Sequence, residues 1–152
     1  MIHYTDTLED IAPDHLQGFF VGWPNPPSPE THLRLLRGSD AVVLALDSQA
    51  DRVVGFVTAI SDGVLSAYIP LLEVLPSYQG RGIGQELMRR ILRRLDGLYM
   101  VDLVCDPDRQ GFYARFGMRP AHAMILRHYR LQSGREDRGP DPTPSRGPGQ
   151  RP

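Results

Sequence analysis

The sequence predicts an α+β fold: a central mixed, mostly antiparallel sheet containing one parallel pair and flanked by helices. Three observations predict it. Three apolar, β-branched runs (Ala41–Leu46, Val53–Ile60 and Val64–Leu75) are split only by short turn signals at Asp47–Asp51 and Ser61-Asp62-Gly63, the pattern of an antiparallel meander. One helix length separates the third run from another strand-like run, Leu98–Cys105, which makes a βαβ unit and hence a parallel pair. The chain has 152 residues, enough for one domain with its own core.

In chain order, Ile2–Tyr4 suits a short first strand. Leu8–Phe20 has helical spacing at Leu8, Ile11, His15 and Leu16 and predicts a helix capped by Asp6 or Thr7. Gly22-Trp23-Pro24-Asn25-Pro26-Pro27 reads as a rigid loop. Ser28 then caps a second helix, Pro29–Leu36, with Pro29 at its first position and Gly38 as its stop. After the meander, Ile83–Leu95 is a clean amphipathic helix, with Leu87, Met88, Ile91, Leu92 and Leu95 on one face and Arg89, Arg90, Arg93 and Arg94 on the other. Those arginines read as a solvated face. Arg109–Phe116 is a short helix ending at Gly117, and Met118–Leu131 supplies material for a last strand. The folded domain is expected over 1–131. Residues 132–152, rich in Pro, Gly and Arg, are expected to be a disordered tail, because they cannot bury enough surface to offset their ordering entropy.

Composition narrows the function. The formal net charge of −1 gives no general attraction to nucleic acid or to an anionic membrane, so any anion site must be local. No lysine is present, which excludes a Walker-type phosphate loop. The single cysteine allows no intrachain disulfide, and neither the start of the chain nor any apolar run reads as a signal or a membrane span; a cytoplasmic protein is expected. The five histidines show no metal-ligand spacing, so no metal is expected. Cys105, at a strand end, reads as a core residue.

The centre of the argument is Gln79-Gly80-Arg81-Gly82-Ile83-Gly84, set between an extended strand that stops at Pro76 and the amphipathic helix. Strand, glycine turn and helix in that order form a cradle for phosphate: glycines let backbone approach a ligand closely, and the free N–H groups at the helix start point at the anion. The pattern Gln79-x-x-Gly82-x-Gly84 after Val74-Leu75-Pro76 resembles the pyrophosphate-binding motif of the GNAT acetyltransferase superfamily. Gly111-Phe112-Tyr113-Ala114-Arg115-Phe116-Gly117-Met118 is similar to that superfamily's helix beside the sulfur of coenzyme A. The resemblance covers about residues 1–131 and is closest to small bacterial members.

That resemblance implies a GNAT-like fold whose parallel strands splay apart to admit the cofactor, and acetyl-CoA as cosubstrate with no metal. It implies that the backbone of Gln79, Gly80, Arg81, Gly82, Ile83 and Gly84 takes the pyrophosphate. The backbone of Leu72 and Val74 would pair with the pantetheine arm, and the Leu72 N–H would polarise the thioester carbonyl. Asp106 falls where the family often has an asparagine that orders the cofactor. Tyr113 is the candidate acid, since a phenol with a pKa near 10 matches a thiol leaving group; its alternative reading is a core aromatic. For the base, Glu73 and Asp102 are the acids in the two central strands, Tyr68 falls at a position that carries the base in several members, and a water chain could serve instead. Period-2 alternation sets Glu73 on the face opposite Tyr68, Leu72 and Val74 unless a bulge resets the register. Phe19, Phe20, Trp23 and Asn25 lie in the region that covers the acceptor in that family, so Phe20, Trp23 and Tyr68 are the candidate acceptor contacts. Packing of the N-terminal helices accounts for these aromatics equally well.

The function so implied is acetyl transfer from acetyl-CoA to the primary amine of a small molecule by direct attack. A peptide or protein N-terminus is the nearest rival acceptor, and a non-catalytic acyl-CoA-binding sensor is the rival from another class. Small domains of the family often pair, which also implies a homodimer.

Overall fold

The computed structural model describes residues 1–134; the expected disordered tail lies outside the described residues from 135 onward. Residues 132–134, placed in that tail by sequence, pack on the domain: the Asn25 N–H donates to the Gln132 side-chain oxygen at 2.9 Å. Five strands form one sheet in the order β1 (Ile2–Thr5), β2 (Ala41–Asp47), β3 (Arg52–Ser61), β4 (Ser66–Val74) and β5 (Met100–Asp102). β1 to β4 pair antiparallel and β4 pairs with β5 in parallel, the mixed sheet the sequence predicts.

Helix α1 (Pro29–Gly38) starts where Ser28 accepts the Thr31 N–H at 3.1 Å, and helix α2 (Ile83–Arg94) lies on the sheet. Ile83, Leu87, Met88 and Ile91 of α2 are buried. Gly55 on β3 allows this close seating: a Cβ there would meet Leu87 Cδ1 at 3.1 Å and Ile83 Cγ2 at 3.3 Å. Full burial of each such aliphatic side chain contributes about 1.5–3 kcal/mol. The opposite face of α2 carries ion pairs, as its reading as a solvated surface requires: Glu86 pairs with Arg89 and Arg90, Arg94 with Asp6, and the Arg90 guanidinium lies 4.7 Å from the Tyr4 ring centre.

Three expected elements differ. Leu8–Phe20 is not a helix; its regular part is one 3-10 turn, Pro13–Leu16. Pro13 removes a helical donor, and Gly18 (φ +89°) and Phe20 (φ +61°) are left-handed, which no helix tolerates. The expected strand Leu98–Cys105 shrinks to Met100–Asp102, because beyond it the chain leaves β4. Met118–Leu131 contains no strand, only a 3-10 turn at Tyr129–Leu131.

The departure of β5 from β4 begins at a bulge. In the β3–β4 ladder Thr58 faces Leu71 while Ile60 faces Tyr68, so Ile69 and Pro70 together oppose the single residue Ala59. Pro70 has no N–H to offer a ladder and is placed where strands accept proline. The parallel pairing stops at Tyr68↔Asp102, just before it. The bulge also resets the alternation: Tyr68, Leu71 and Glu73 now share the face of Ile60, Thr58 and Phe56. Glu73 and Tyr68 therefore lie on the same face, and Leu72 and Val74 on the other.

Candidate active site

Where β4 and β5 part, a cleft of about 980 Å³ opens. One wall is Ile69–Val74, the other Leu103–Asp106 with Tyr113; the glycine loop closes one end and Phe20, Val21 and Trp23 the other.

The first wall presents backbone. The Leu75 N–H donates to the Val54 carbonyl at 2.9 Å, so Leu75, Glu73 and Leu71 direct their main-chain groups at β3. By alternation Leu72 and Val74 turn theirs into the gap. The Val74 carbonyl is already taken by the Gln79 side chain at 2.9 Å, which ties the loop to the strand end. The Leu72 N–H and C=O and the Val74 N–H face the cleft, an open strand edge for an extended ligand.

The loop presents donors. Gly80 (φ +75°) and Gly82 (φ +79°) adopt left-handed backbone, and a Cβ built on either meets no atom within 4 Å, so protein fills none of the space beside them. The first bond of α2 runs from the Glu86 N–H to the Gly82 carbonyl at 3.1 Å. The N–H groups of Ile83, Gly84 and Gln85 therefore precede the helical ladder and carry the positive end of its dipole. The loop is anchored behind: the Tyr78 hydroxyl donates to Asp47 at 2.9 Å, Arg81 donates to the Ser77 carbonyl at 3.0 Å, and its guanidinium lies 5.1 Å from the Tyr78 ring centre. The Arg81 side chain thus braces the loop.

The second wall comes from β5 and helix α3 (Gln110–Ala114). Phe112 packs on α2, 3.7 Å from where a Gly84 Cβ would stand, and meets Phe116 at 5.6 Å between ring centres. Tyr113 points elsewhere and lines the cleft. Burial, with the neighbouring Cys105, pushes its phenol above the usual value against the opposing effect of Arg109, so it stays protonated at neutral pH. Cys105 itself lines the cleft and is only half-buried, in place of the core position the sequence suggested. Asp106 also lines the cleft, opening the 3-10 turn Pro107–Arg109. Arg109 and Arg115 stand in the same wall, two cations that motif reading missed because every basic residue of the chain is arginine.

The far end is aromatic. Phe20 and Trp23 meet at 4.9 Å and both line the cleft. Phe20 is buried; Trp23 is 39% exposed. The Glu73 carboxylate accepts the Phe20 N–H at 2.8 Å and the Val21 N–H at 3.2 Å, and so holds this loop against β4. Behind it the buried His32 ring packs on Phe19, Phe20 and Phe56, with 4.4 Å between the His32 and Phe56 ring centres. Neither His32 nitrogen has a hydrogen-bond partner, and burial drives its pKa down to about 4. Tyr68 and Asp102 are not in the cleft wall. They face each other in the paired stretch below it. Phe19 belongs to the core.

Residues 8–118 match the model of the Acetyltransferase (GNAT) family. The chain belongs to the GNAT acetyltransferase family. The GNAT family uses acetyl-CoA. An acetyltransferase-class protein from Deinococcus radiodurans R1 is 51% identical to this GNAT chain, with a TM-score of 0.86 over 89% of this chain and 94% of that one. GCN5-related N-acetyltransferase 1, chloroplastic, from Arabidopsis thaliana is 31% identical over 73% of this chain and 58% of its own length. Serotonin N-acetyltransferase 2, chloroplastic, from Oryza sativa subsp. japonica is 36% identical over 55% of this chain and 44% of its own. The chain thus spans about half the length of these curated relatives. Among the described residues, no helix is long and apolar enough to cross a membrane, and no three metal-ligating side chains cluster.

Proposed function

We propose that this GNAT chain transfers acetyl from acetyl-CoA to the primary amine of a small, aromatic or apolar molecule. The observation that carries the reading is the cleft between β4 and β5, with amide donors at one end and the Phe20–Trp23 wall at the other. The residues fit the cofactor: the Gly80–Gly84 main chain and the start of α2 suit a pyrophosphate, assisted by Arg109 and Arg115, and the Leu72–Val74 edge suits an amide-bearing arm. Arg109 and Arg115 also offset the Asp106 carboxylate in the same wall.

When bound, acetyl-CoA supplies the acetyl group as a thioester. The Leu72 N–H, turned into the gap, is the donor available to polarise an acyl oxygen. The Tyr113 phenol holds a proton that a departing thiolate takes. Each Glu73 oxygen accepts one backbone N–H and keeps a lone pair. Glu73 therefore fixes the acceptor wall and also attracts the acceptor's ammonium and takes its proton. An aromatic wall beside a carboxylate suits an arylalkylamine, and the serotonin acetyltransferase among the relatives supports that class. With one cysteine, the chain suits a reducing compartment such as the cytoplasm.

Thiol release from acetyl-CoA over a panel of arylalkylamines, polyamines and N-terminal peptides tests the reading. Turnover with arylalkylamines is expected. Turnover confined to peptides moves the acceptor to protein N-termini, and binding of acetyl-CoA without release from any amine makes the domain a sensor.

A further inference from the structure

Behind the Phe20–Trp23 wall lies a second cavity, of about 350 Å³. Phe20, Trp23 and Leu71 line both this cavity and the cleft, so the two meet at a rim of shared side chains. Leu35 of α1 and Pro27 add apolar surface, and Leu131, Gln132 and Gly134 supply the outer side. The volume lies at the lower end of the range for small-molecule pockets, room for a ring and not for a whole cofactor.

That outer side is a built strap. The Leu131 N–H donates to the His128 carbonyl at 2.8 Å, the Gln132 N–H to the Tyr129 carbonyl at 3.1 Å, and the Gly134 N–H to the Leu131 carbonyl at 3.0 Å. The Gln132 side-chain oxygen takes the Asn25 N–H, which ties the strap to the loop that carries Trp23. Gly134, at φ +89°, lets the strap close on the first turn of α1: a Cβ there would stand 2.7 Å from Thr31 Cγ2.

The register of β4 relates this cavity to the cleft. Glu73 and Leu71 lie two residues apart on one face of the strand. At roughly 7 Å along the strand, a cation held at the Glu73 carboxylate sets a group about two or three carbons away over Leu71. Trp23, 39% exposed, and Leu131, 40% exposed, offer apolar surface there for a ring to cover.

We infer that this cavity is the subsite for the aryl ring of an arylalkylamine acceptor, and that Leu131 and its strap determine the preference for aryl over alkyl amines. The ring lies against Trp23, Leu35, Leu71 and Leu131 while the ammonium meets Glu73 in the cleft. The placing of the amine rests on the transferase reading proposed above; the cavity and the strap do not. An alkylamine without a ring leaves the cavity unfilled and gains nothing from the strap.

Trp23 is the single tryptophan of the chain, so its emission reports on the cavity directly. Titration of the full chain with phenylpropylamine, with coenzyme A present, should give a saturable blue shift of that emission that butylamine does not give. Leu131→Ala and Gly134→Val, each checked for wild-type circular dichroism, should weaken that response. In acetyl transfer they should lower the kcat/KM preference for phenylpropylamine over butylamine by about 10-fold. A saturable shift without acetylation of any amine supports the cavity as a ring site and refutes the transferase reading instead. An absent shift overturns the inference whether or not amines are acetylated. A shift and a preference that both variants leave unchanged overturn it as well.

Discussion

The Glu73 carboxylate accepts the Phe20 N–H at 2.8 Å, joining β4 to the loop that carries Phe20 and Trp23. Phe20 has φ +61°, a conformation a bulky residue keeps only when its surroundings hold it. Glutamine has one acceptor oxygen and an NH₂ group, so Glu73→Gln loses one of the two loop bonds together with the charge. A hydrogen bond to a charged group contributes about 1.5–3 kcal/mol. We expect Glu73→Gln to lower kcat/KM for the amine by about 10- to 100-fold while the acetyl-CoA Kd stays within about twofold. Unchanged amine kinetics would remove Glu73 from the acceptor site.

Tyr113→Phe removes a proton donor and leaves the ring packing. General acid catalysis contributes roughly 10²–10⁴-fold, so kcat should fall by about 100-fold or more with the acetyl-CoA Kd nearly unchanged. Because burial raises the Tyr113 pKa above its usual value near 10, wild-type kcat should show no basic limb from this group below about pH 10. Full turnover in Tyr113→Phe would end its role as the acid.

His32 gives a stability prediction with a fixed sign. Its pKa falls from 6.5 to about 4 on folding, so the unfolded chain binds more protons between those values. Its favourable contribution is complete above about pH 6.5 and is lost as pH falls toward 4, up to about 3 kcal/mol by linkage. His32→Leu should fold, since neither ring nitrogen is hydrogen-bonded. Urea unfolding at pH 7 and pH 4.5 should show a smaller acid loss for the variant than for the wild type. Equal losses would mean that His32 is not buried in its neutral form.

The sequence made the meander, the βαβ unit and the glycine turn before α2 legible because periodicity and glycine placement are local. It left out what depends on packing. Pro70 could not announce that it and Ile69 oppose one residue, yet that bulge brings Glu73 to the face of Tyr68 and Phe56 and precedes the parting of β4 from β5. Leu8–Phe20 had helical spacing, but Pro13 and two left-handed residues outweighed it. Met118–Leu131 read as a strand from composition, yet none of it pairs with the sheet; its regular part is the 3-10 turn Tyr129–Leu131. Arg109 and Arg115 carried no signal in a chain whose cations are all arginine, and Tyr68 fitted a family position without reaching the cleft.

The central claim is that the glycine loop and the parted strands hold acetyl-CoA. Equilibrium titration of acetyl-CoA against wild type and Gly82→Val tests it most directly, with Gly84→Ala as the control. A side chain at Gly82 is strained by φ +79° and enters the empty space before the loop, whereas a methyl at Gly84 makes only ordinary contacts at 3.7 Å. The account predicts loss of measurable binding in Gly82→Val and an affinity within about threefold of wild type in Gly84→Ala. Wild-type affinity in a folded Gly82→Val protein would contradict it.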